Sequence, residues 1–234
     1  MKQSASSPAT QGFSILYLIM CITFCICLVV ANLVEIKTID VGPFTITAGL
    51  IVFPISYIIN DCVVEVYGFR KARLMIWLGF AVSLFVALML QLSIVLPGGE
   101  QWTLQNEMSA IYGVVPRIMG ASFLAFLCGS MVNAYVMSRM KVADKGRHFS
   151  FRAIVSTIFG EGIDSIIFFP IAFGGILDFD VILSLILTQT LLKTLYEIII
   201  LPVTLVVVRR LKRAENIDTV DHNISYKWWK INEI

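Results

Sequence analysis

Apolar residues in this chain fall into six long blocks separated by short polar segments. The blocks cover about residues 13–33, 47–66, 72–96, 117–140, 152–173 and 179–208. A helix needs roughly 20 apolar residues to cross the hydrocarbon core of a bilayer, and every block reaches that length. The pattern therefore predicts an all-α fold, a polytopic membrane bundle of six transmembrane helices with the lipid bilayer as its solvent.

The segments outside the blocks are short, which gives a simple domain organisation. We expect a disordered tail over 1–12, a single six-helix transmembrane domain over 13–213 and a C-terminal tail over 214–234. The first block exceeds the roughly 7–15 apolar residues of a signal-peptide core, so it is interpreted as a membrane helix. Polar and apolar residues alternate at 37–41 and 44–47 around Gly42 and Pro43, which predicts a small hairpin.

Basic residues cluster in every second connection between the blocks. They lie at 70–73, 139–152 and 209–213, whereas the other connections carry five acidic residues and a single lysine, Lys37. Basic loops stay on the cytoplasmic side of a membrane. A topology of six spans with both termini in the cytoplasm places every basic connection on the cytoplasmic side. We therefore expect a multi-pass protein of the cell inner membrane.

Composition agrees with a membrane protein and excludes several other classes. The chain is 58% hydrophobic and 15% charged, whereas soluble domains carry about 25% charged residues. A net charge of +2 is too small to indicate a nucleic-acid partner. The five cysteines lie inside the apolar blocks without metal-ligand spacing. We therefore expect no metal, no cofactor and no nucleic acid.

Acidic side chains persist inside three of the blocks, accompanied there by amides and a lysine. Each buried charge costs at least about 2.5–3.5 kcal/mol, so it needs a partner, a water-filled cavity or a function. The second block carries Asn60, Asp61 and Glu65, the fifth Glu161 and Asp164, and the sixth Gln189, Lys193 and Glu197. Residues three or four apart share a helix face, so three polar faces are predicted to converge on one cavity. Glu65 lies nearest a basic end, where snorkelling to the interface also explains its charge.

These groups can also pair with each other and hold the helices together. Lys193 can pair with Asp164 or with Glu197 for that purpose. Five buried carboxylates nevertheless outnumber this one lysine, so the others must bind protons, a solute or water. We interpret the chain as a carrier of a small polar solute, with Asp61, Glu65 and Asp164 as candidates for proton coupling.

Aromatic, proline and glycine residues near these carboxylates fit a carrier. Tyr57 and Phe168 offer flat faces to a planar solute. Pro54 lies inside a predicted span, and interrupted helices often form the substrate sites of carriers. Gly160 and Gly162 are predicted to let the backbone of another helix approach closely.

An intramembrane hydrolase is the alternative from another class. A serine protease of this kind needs a buried histidine, whereas His148 and His222 lie in predicted cytoplasmic segments. An aspartyl protease needs two aspartates from different helices, which Asp61 and Asp164 can imitate, but its Gly-x-Gly-Asp string is absent. The carrier interpretation, without enzymatic activity, is preferred.

One string in the second block is distinctive. It reads Pro-x-x-Tyr-x-x-Asn-Asp-x-x-x-Glu-x-Tyr-Gly from Pro54 to Gly68, and Gly-Glu-Gly-Ile-Asp-Ser follows at 160–165. These strings resemble the queuosine precursor transporter family, and the resemblance extends over essentially all six predicted helices. It implies import of 7-cyano-7-deazaguanine or 7-aminomethyl-7-deazaguanine for tRNA modification.

That resemblance implies a substrate-binding site within the predicted cavity. Its expected residues are Tyr57, Asn60, Asp61, Glu161, Asp164, Phe168, Gln189, Lys193 and Glu197. A guanine-like edge presents an N–H beside an amino group, which Asp61 or Asp164 can accept together while Tyr57 or Phe168 stacks on the ring.

Energy for transport is left open by the residues. The chain has no Gly-x-x-x-x-Gly-Lys-Ser/Thr loop and cannot hydrolyse ATP by that route. An alternative is therefore the substrate-binding subunit of a vitamin-type importer whose ATPases are separate chains. Homo-oligomerisation is compatible with either arrangement.

Overall fold

The structure is a computed structural model that describes residues 14–34, 37–41, 44–113, 116–175, 178–221, 224–227 and 229. Six of its helices are long and apolar enough to cross a membrane. This confirms the predicted number of spans. The tail predicted over 1–12 lies outside the described residues.

The helices follow the predicted apolar blocks, with one addition. They are α1 (Ile15–Val34), α2 (Phe53–Tyr67), α3 (Phe69–Val95), α4 (Gln105–Tyr112), α5 (Pro116–Asp144), α6 (Phe149–Phe173) and α7 (Phe179–Glu215). The short α4 was not predicted, because it buries no residue and so carries no apolar stripe. Helices α3 and α7 extend beyond their blocks into basic segments, because Lys and Arg are good helix formers.

The second span is interrupted, as its proline predicts. A 3-10 turn covers Ala48–Ile51, and α2 then begins with Pro54 in its first turn. The missing N–H of proline costs nothing there, because the first N–H groups of a helix have no partner within the helix.

The predicted hairpin is present between α1 and this turn. Strands β1 (Thr38–Val41) and β2 (Phe44–Thr47) pair antiparallel, with Thr38 opposite Thr47 and Val41 opposite Phe44. The hairpin lies at the N-terminal end of α2, in the connection that carries more acidic than basic residues.

Helix α2 lies at the centre of the bundle. It packs against α1, α3, α5 and α7. All of its residues except Ile55 and Ile58 are buried. The surrounding helices expose rows of large apolar side chains, such as Phe85 of α3 and Leu191 of α7. An apolar outer surface around a polar-containing central helix is the arrangement expected in lipid.

Helices α5 and α6 approach each other closely at two glycines. A Cβ atom added at Gly129 would lie 2.8 Å from the carbonyl oxygen of Gly160, and one added at Gly160 would lie 3.1 Å from that of Gly129. Small residues allow such close helix contacts in membranes. At Gly162 an added Cβ would meet no described atom within 4 Å, so the prediction of close approach was right for Gly160 and wrong for Gly162.

The segment after α7 folds back onto the bundle. Helix α7 ends where Asn216 adopts a left-handed conformation with φ of 52°. The carboxylate of Asp221 then accepts hydrogen bonds from the backbone N–H of Phe69 at 2.8 Å and from the hydroxyl of Ser138. Arg73 donates to the carbonyls of Ser225 and Lys227. The predicted C-terminal tail is therefore packed against α3 and α5 over much of its described length.

Candidate functional site

Polar side chains form a column along α2. Asn60 and Asp61 follow Tyr57 by three and four residues, and Glu65 follows Asp61 by four, so these side chains lie on one side of the helix and span about 12 Å at 1.5 Å per residue. This face meets α5, α6 and α7. We divide the column into two groups, an end cluster around Glu65 and a central site. The central site consists of Phe53, Tyr57, Asn60, Asp61, Asn133, Thr157, Glu161, Asp164, Lys193 and Glu197.

Lys193 of α7 is held between two carboxylates of α6. Its ammonium nitrogen lies 2.8 Å from Glu161 Oε2 and 3.3 Å from Asp164 Oδ2. The same nitrogen lies 4.3 Å from the centre of the Phe53 ring, which gives a cation–π contact. Of the two pairings considered for Lys193, the ion pair with Asp164 is therefore present, and Glu161 joins it.

Asp61 has no such partner. It is completely buried, at 0% exposure, and within the described part of the chain neither carboxylate oxygen has a hydrogen bond of normal geometry. The polar side chains that interact with it include Glu197 of α7, Asn133 of α5 and, through its charge, Glu65 of the same helix. Glu197 in turn accepts a hydrogen bond from the hydroxyl of Thr157. A buried carboxylate therefore faces a second carboxyl group instead of a cation.

Two asparagines line the α5 side of Asp61. The amide of Asn60 donates to the side-chain oxygen of Asn133 at 2.9 Å and to the carbonyl of Ser130 at 3.4 Å. Among the described residues, Asn60 Oδ1 and Asn133 Nδ2 have no hydrogen-bond partner. Leaving a buried donor or acceptor unsatisfied costs about 1–3 kcal/mol. Such atoms clustered beside Asp61 indicate a place where a polar ligand binds.

The charges of the central site do not balance. It contains four carboxyl groups, those of Asp61, Glu161, Asp164 and Glu197, and the ammonium of Lys193. Uncompensated buried charge is strongly unfavourable. Protons or donor groups of a ligand must therefore compensate part of this excess.

The end cluster has a different character, because Glu65 is surrounded by cations. Its oxygens lie 2.6 Å from the guanidinium of Arg152 and 2.6 Å from the ammonium of Lys212, and Lys141 is 3.6 Å away. Glu65 and Arg152 are almost completely buried. The expectation that Glu65 snorkels is wrong, because these cations neutralise its charge inside the bundle.

Asp218, outside the spans, completes the end cluster. Burial alone would raise its pKa, but hydrogen bonds from Lys141 and Lys212 hold the pKa of Asp218 below its usual value. The end cluster thus joins the ends of α2, α5, α6 and α7. All three basic connections of the sequence consequently lie at one end of the bundle.

Most predicted binding residues meet in the central site, and two lie at its margin. Phe168 is half-buried, and its ring contacts Phe169 and Phe173 of the same helix. Gln189 is half-buried on α7, one turn before Lys193. Seven of the nine come together: Tyr57, Asn60, Asp61, Glu161, Asp164, Lys193 and Glu197.

Three residues of the central site were not among those predicted. Asn133 and Thr157 are uncharged, and Phe53 resembles any other apolar residue at the start of a span. A signal existed for Thr157, which lies four residues before Glu161 and thus on the same face of α6. Asn133 could have been found as a buried amide inside the fourth block.

Comparisons with known proteins agree with this arrangement. Residues 47–207 match the family described as "Putative vitamin uptake transporter". The "Probable queuosine precursor transporter" of Bacillus subtilis (strain 168) is 30% identical over 175 residues, which cover 74% of this chain and 76% of that protein. The "Queuosine precursor transporter" of Escherichia coli (strain K12) is 28% identical over 130 residues, 56% of each chain. No solved structure gives a significant match.

The family match includes α2, α3, α5, α6 and nearly all of the apolar part of α7. It therefore contains every residue of the central site. The resemblance that the sequence strings carry is confirmed, and the protein is a multi-pass membrane protein. The chain belongs to this family of vitamin uptake transporters, with queuosine precursor transporters among its relatives.

Proposed function

We propose that this protein imports a queuosine precursor, 7-cyano-7-deazaguanine or 7-aminomethyl-7-deazaguanine, across the inner membrane and carries it chemically unchanged. The observation that carries the proposal is the pairing of two facts. The relatives bear the name queuosine precursor transporter, and the central site contains a buried carboxylate, Asp61, whose oxygens have no hydrogen bond of normal geometry among the described residues. The transporter names favour this function over an intramembrane hydrolase.

A deazaguanine base fits the unsatisfied atoms. Its ring N–H and amino group can both donate to Asp61, because a carboxylate accepts two hydrogen bonds side by side. The free amide nitrogen of Asn133 can then donate to the carbonyl of the base. Tyr57 and Phe53 lie on the same helix as Asp61, and their ring centres are 5.6 Å apart. They can therefore offer aromatic faces to the base.

Queuosine formation tests the transport directly. Cells that cannot synthesise the precursor and lack their own importer are supplied with each deazaguanine, with and without this protein, and queuosine is measured in their tRNA. We expect modified tRNA only when the protein is present. Unmodified tRNA with both bases, despite correct insertion in the membrane, would show that the assignment is wrong.

Substitution of the binding carboxylates tests the site. Asp61→Asn and Asp164→Asn keep the size of the side chain but replace an acceptor oxygen by an amide donor. Hydrogen bonds to charged groups contribute about 1.5–3 kcal/mol, so uptake should fall roughly 10- to 100-fold at low substrate concentration. The matched control is Glu107→Gln on the exposed α4, which should transport normally. Wild-type uptake by both aspartate variants would remove them from the site.

A further inference from the structure

Asp61 and Glu197 form a pair of carboxyl groups between α2 and α7. Asp61 is 0% and Glu197 is 3% exposed, their helices pack against each other, and the two carboxyl groups interact. Neither Asp61 oxygen nor Glu197 Oε1 has another hydrogen-bond partner among the described residues. Two carboxyl groups can form a hydrogen bond only if one of them carries a proton, because an ionised carboxylate is an acceptor only.

The cations on the neighbouring helices are bound by other carboxylates. From α7, Lys193 is engaged by Glu161 and Asp164 of α6. From α2, Glu65 is bound to cations of the end cluster, while Tyr57 and Cys62 flank Asp61 on its own helix. Helix α5 contributes the neutral Asn133, and α6 contributes the neutral Thr157 together with the carboxyl group of Glu161, whose charge interacts with that of Glu197.

The two remaining neighbours of α2 bring no charge to this depth. Helix α1 has no charged residue, and α3 has its three basic residues within its first five positions, at the end-cluster side. The cations described on the helices around α2, Lys193 and those of the end cluster, are thus bound by carboxylates other than this pair.

We propose that Asp61 and Glu197 hold one shared proton, and that this pair couples import of the base to the entry of protons. The inference rests on the proposed function for its transported base, but the shared proton itself does not. Of the predicted candidates for proton coupling, it retains Asp61, replaces Glu65 and Asp164, and adds Glu197.

The transfer balances as follows. In the empty site one proton bridges the two carboxyl groups. When the base binds, its N–H and amino group donate to Asp61, and the bridging proton stays on Glu197 as its O–H. On release the base leaves, the O–H bond of Glu197 breaks, and the proton passes to water on the receiving side. The empty pair then takes up a new proton from water on the supplying side before the next base binds. One proton then enters with each base, and no other bond is made or broken.

Infrared spectroscopy of the purified full-length protein tests the shared proton without any substrate. The wild-type protein should show a carbonyl band of a protonated carboxylic acid near neutral pH that disappears in both Asp61→Asn and Glu197→Gln. The control Glu107→Gln should retain it. A band that is unchanged in both pair variants would overturn the proposal, whether or not the protein transports a base.

Transport in membrane vesicles tests the coupling. Wild-type vesicles should accumulate the radiolabelled base against its gradient, faster when the outside is more acidic, and a protonophore should abolish the accumulation. In Glu197→Gln the side chain at this position is a neutral amide, which cannot take up or release a proton. Exchange of labelled for unlabelled base should remain measurable, while accumulation falls to equal concentrations on the two sides and the pH dependence disappears.

A second variant keeps the test decisive if Glu197→Gln does not fold. Thr157→Val removes the hydroxyl that donates to Glu197 and preserves side-chain shape. Without that donor the anion is less favourable, so the midpoint of the pH profile of uptake should move to higher pH. Accumulation that resists protonophores, or a pH profile unchanged in both variants, would refute the coupling while leaving the proposed transport intact.

Discussion

At the scale of single residues, the close crossing of α5 and α6 depends on Gly129 and Gly160, which have no side chain. A Cβ at Gly129 would lie 2.7 Å from the hydroxyl of Tyr57 and 2.9 Å from the Cβ of Asp164, and one at Gly160 would lie 2.8 Å from the Cβ of Asn133. Each clash involves a residue of the central site. The two glycines therefore determine how tightly that site closes.

Alanine substitution at these glycines should destabilise the protein. Gly129→Ala and Gly160→Ala each overpack a contact between backbones, which costs about 1–3 kcal/mol. Thermal unfolding in detergent should show a lower Tm for both variants, together with reduced uptake. The control is Gly162→Ala, two positions from Gly160 on the same helix, where no described atom lies within 4 Å. Its Tm should be unchanged or higher, because alanine favours helix. An equal loss in all three variants would contradict the packing argument.

The charged residues of the central site were predictable because a charge in a membrane requires an explanation. Asn133 and Thr157 cost little in a span, so their types alone did not distinguish them from packing residues. The partner of Lys193 was also open from the sequence. Helical spacing places Glu197 on the same face as Lys193, but the ion pairs of Lys193 with Glu161 and Asp164 depend on how α6 and α7 are rotated against each other.

At the scale of helices, the end cluster holds four helix ends together through one carboxylate. Glu65 contributes both oxygens to cations that come from α5, α6 and α7. These helix ends lie at the C-terminal end of α2, next to the central site. A path through this side requires that some of these ion pairs separate.

Removing the charge of Glu65 should weaken this junction strongly. Glu65→Gln removes the buried anion that Arg152 and the half-buried Lys212 share. Arg152 keeps Asp144 and Lys212 keeps Asp218 as partners, so the loss should approach but not exceed the roughly 3–5 kcal/mol that breaking a fully buried pair costs. The midpoint of chemical unfolding should therefore fall markedly. Asp218→Asn is the matched control, since it binds Lys141 and Lys212 in the same cluster but is 53% exposed. Exposed pairs contribute about 0–1 kcal/mol, so a comparable loss in both variants would show that burial is not the cause.

Most helix positions followed from apolar length alone, while the breaks required local chemistry. The boundary between α2 and α3 lies at Gly68, whose φ of 84° suits glycine and whose missing side chain leaves room for Asp221. The sequence shows the glycine but not the residue, more than a hundred positions later, that occupies its space. Helix α4 escaped prediction because it makes no buried contact that would impose a periodic pattern.

At the scale of the whole molecule, the structure places the three basic connections at one end of the bundle, and the positive-inside rule assigns that end to the cytoplasm. Labelling with a thiol reagent that cannot cross membranes tests the orientation. In a variant without the five native cysteines, Glu100→Cys in the acidic connection should react in intact cells. Lys145→Cys, between α5 and α6, should react only after permeabilisation. Both positions are exposed in the structure, so the opposite labelling pattern would invert the topology.

The docked C-terminal segment has a consequence for the biogenesis of the protein. Lys212 lies 147 positions after its partner Glu65. Asp221, which accepts a hydrogen bond from the backbone N–H of Phe69, lies 152 positions after that residue. During synthesis, α2 therefore enters the membrane before the cations of α5, α6 and the end of α7 that compensate its carboxylate have left the ribosome. Residues made last satisfy residues inserted early, so a ribosome that stalls before Lys212 leaves an incomplete junction that quality-control proteases can recognise.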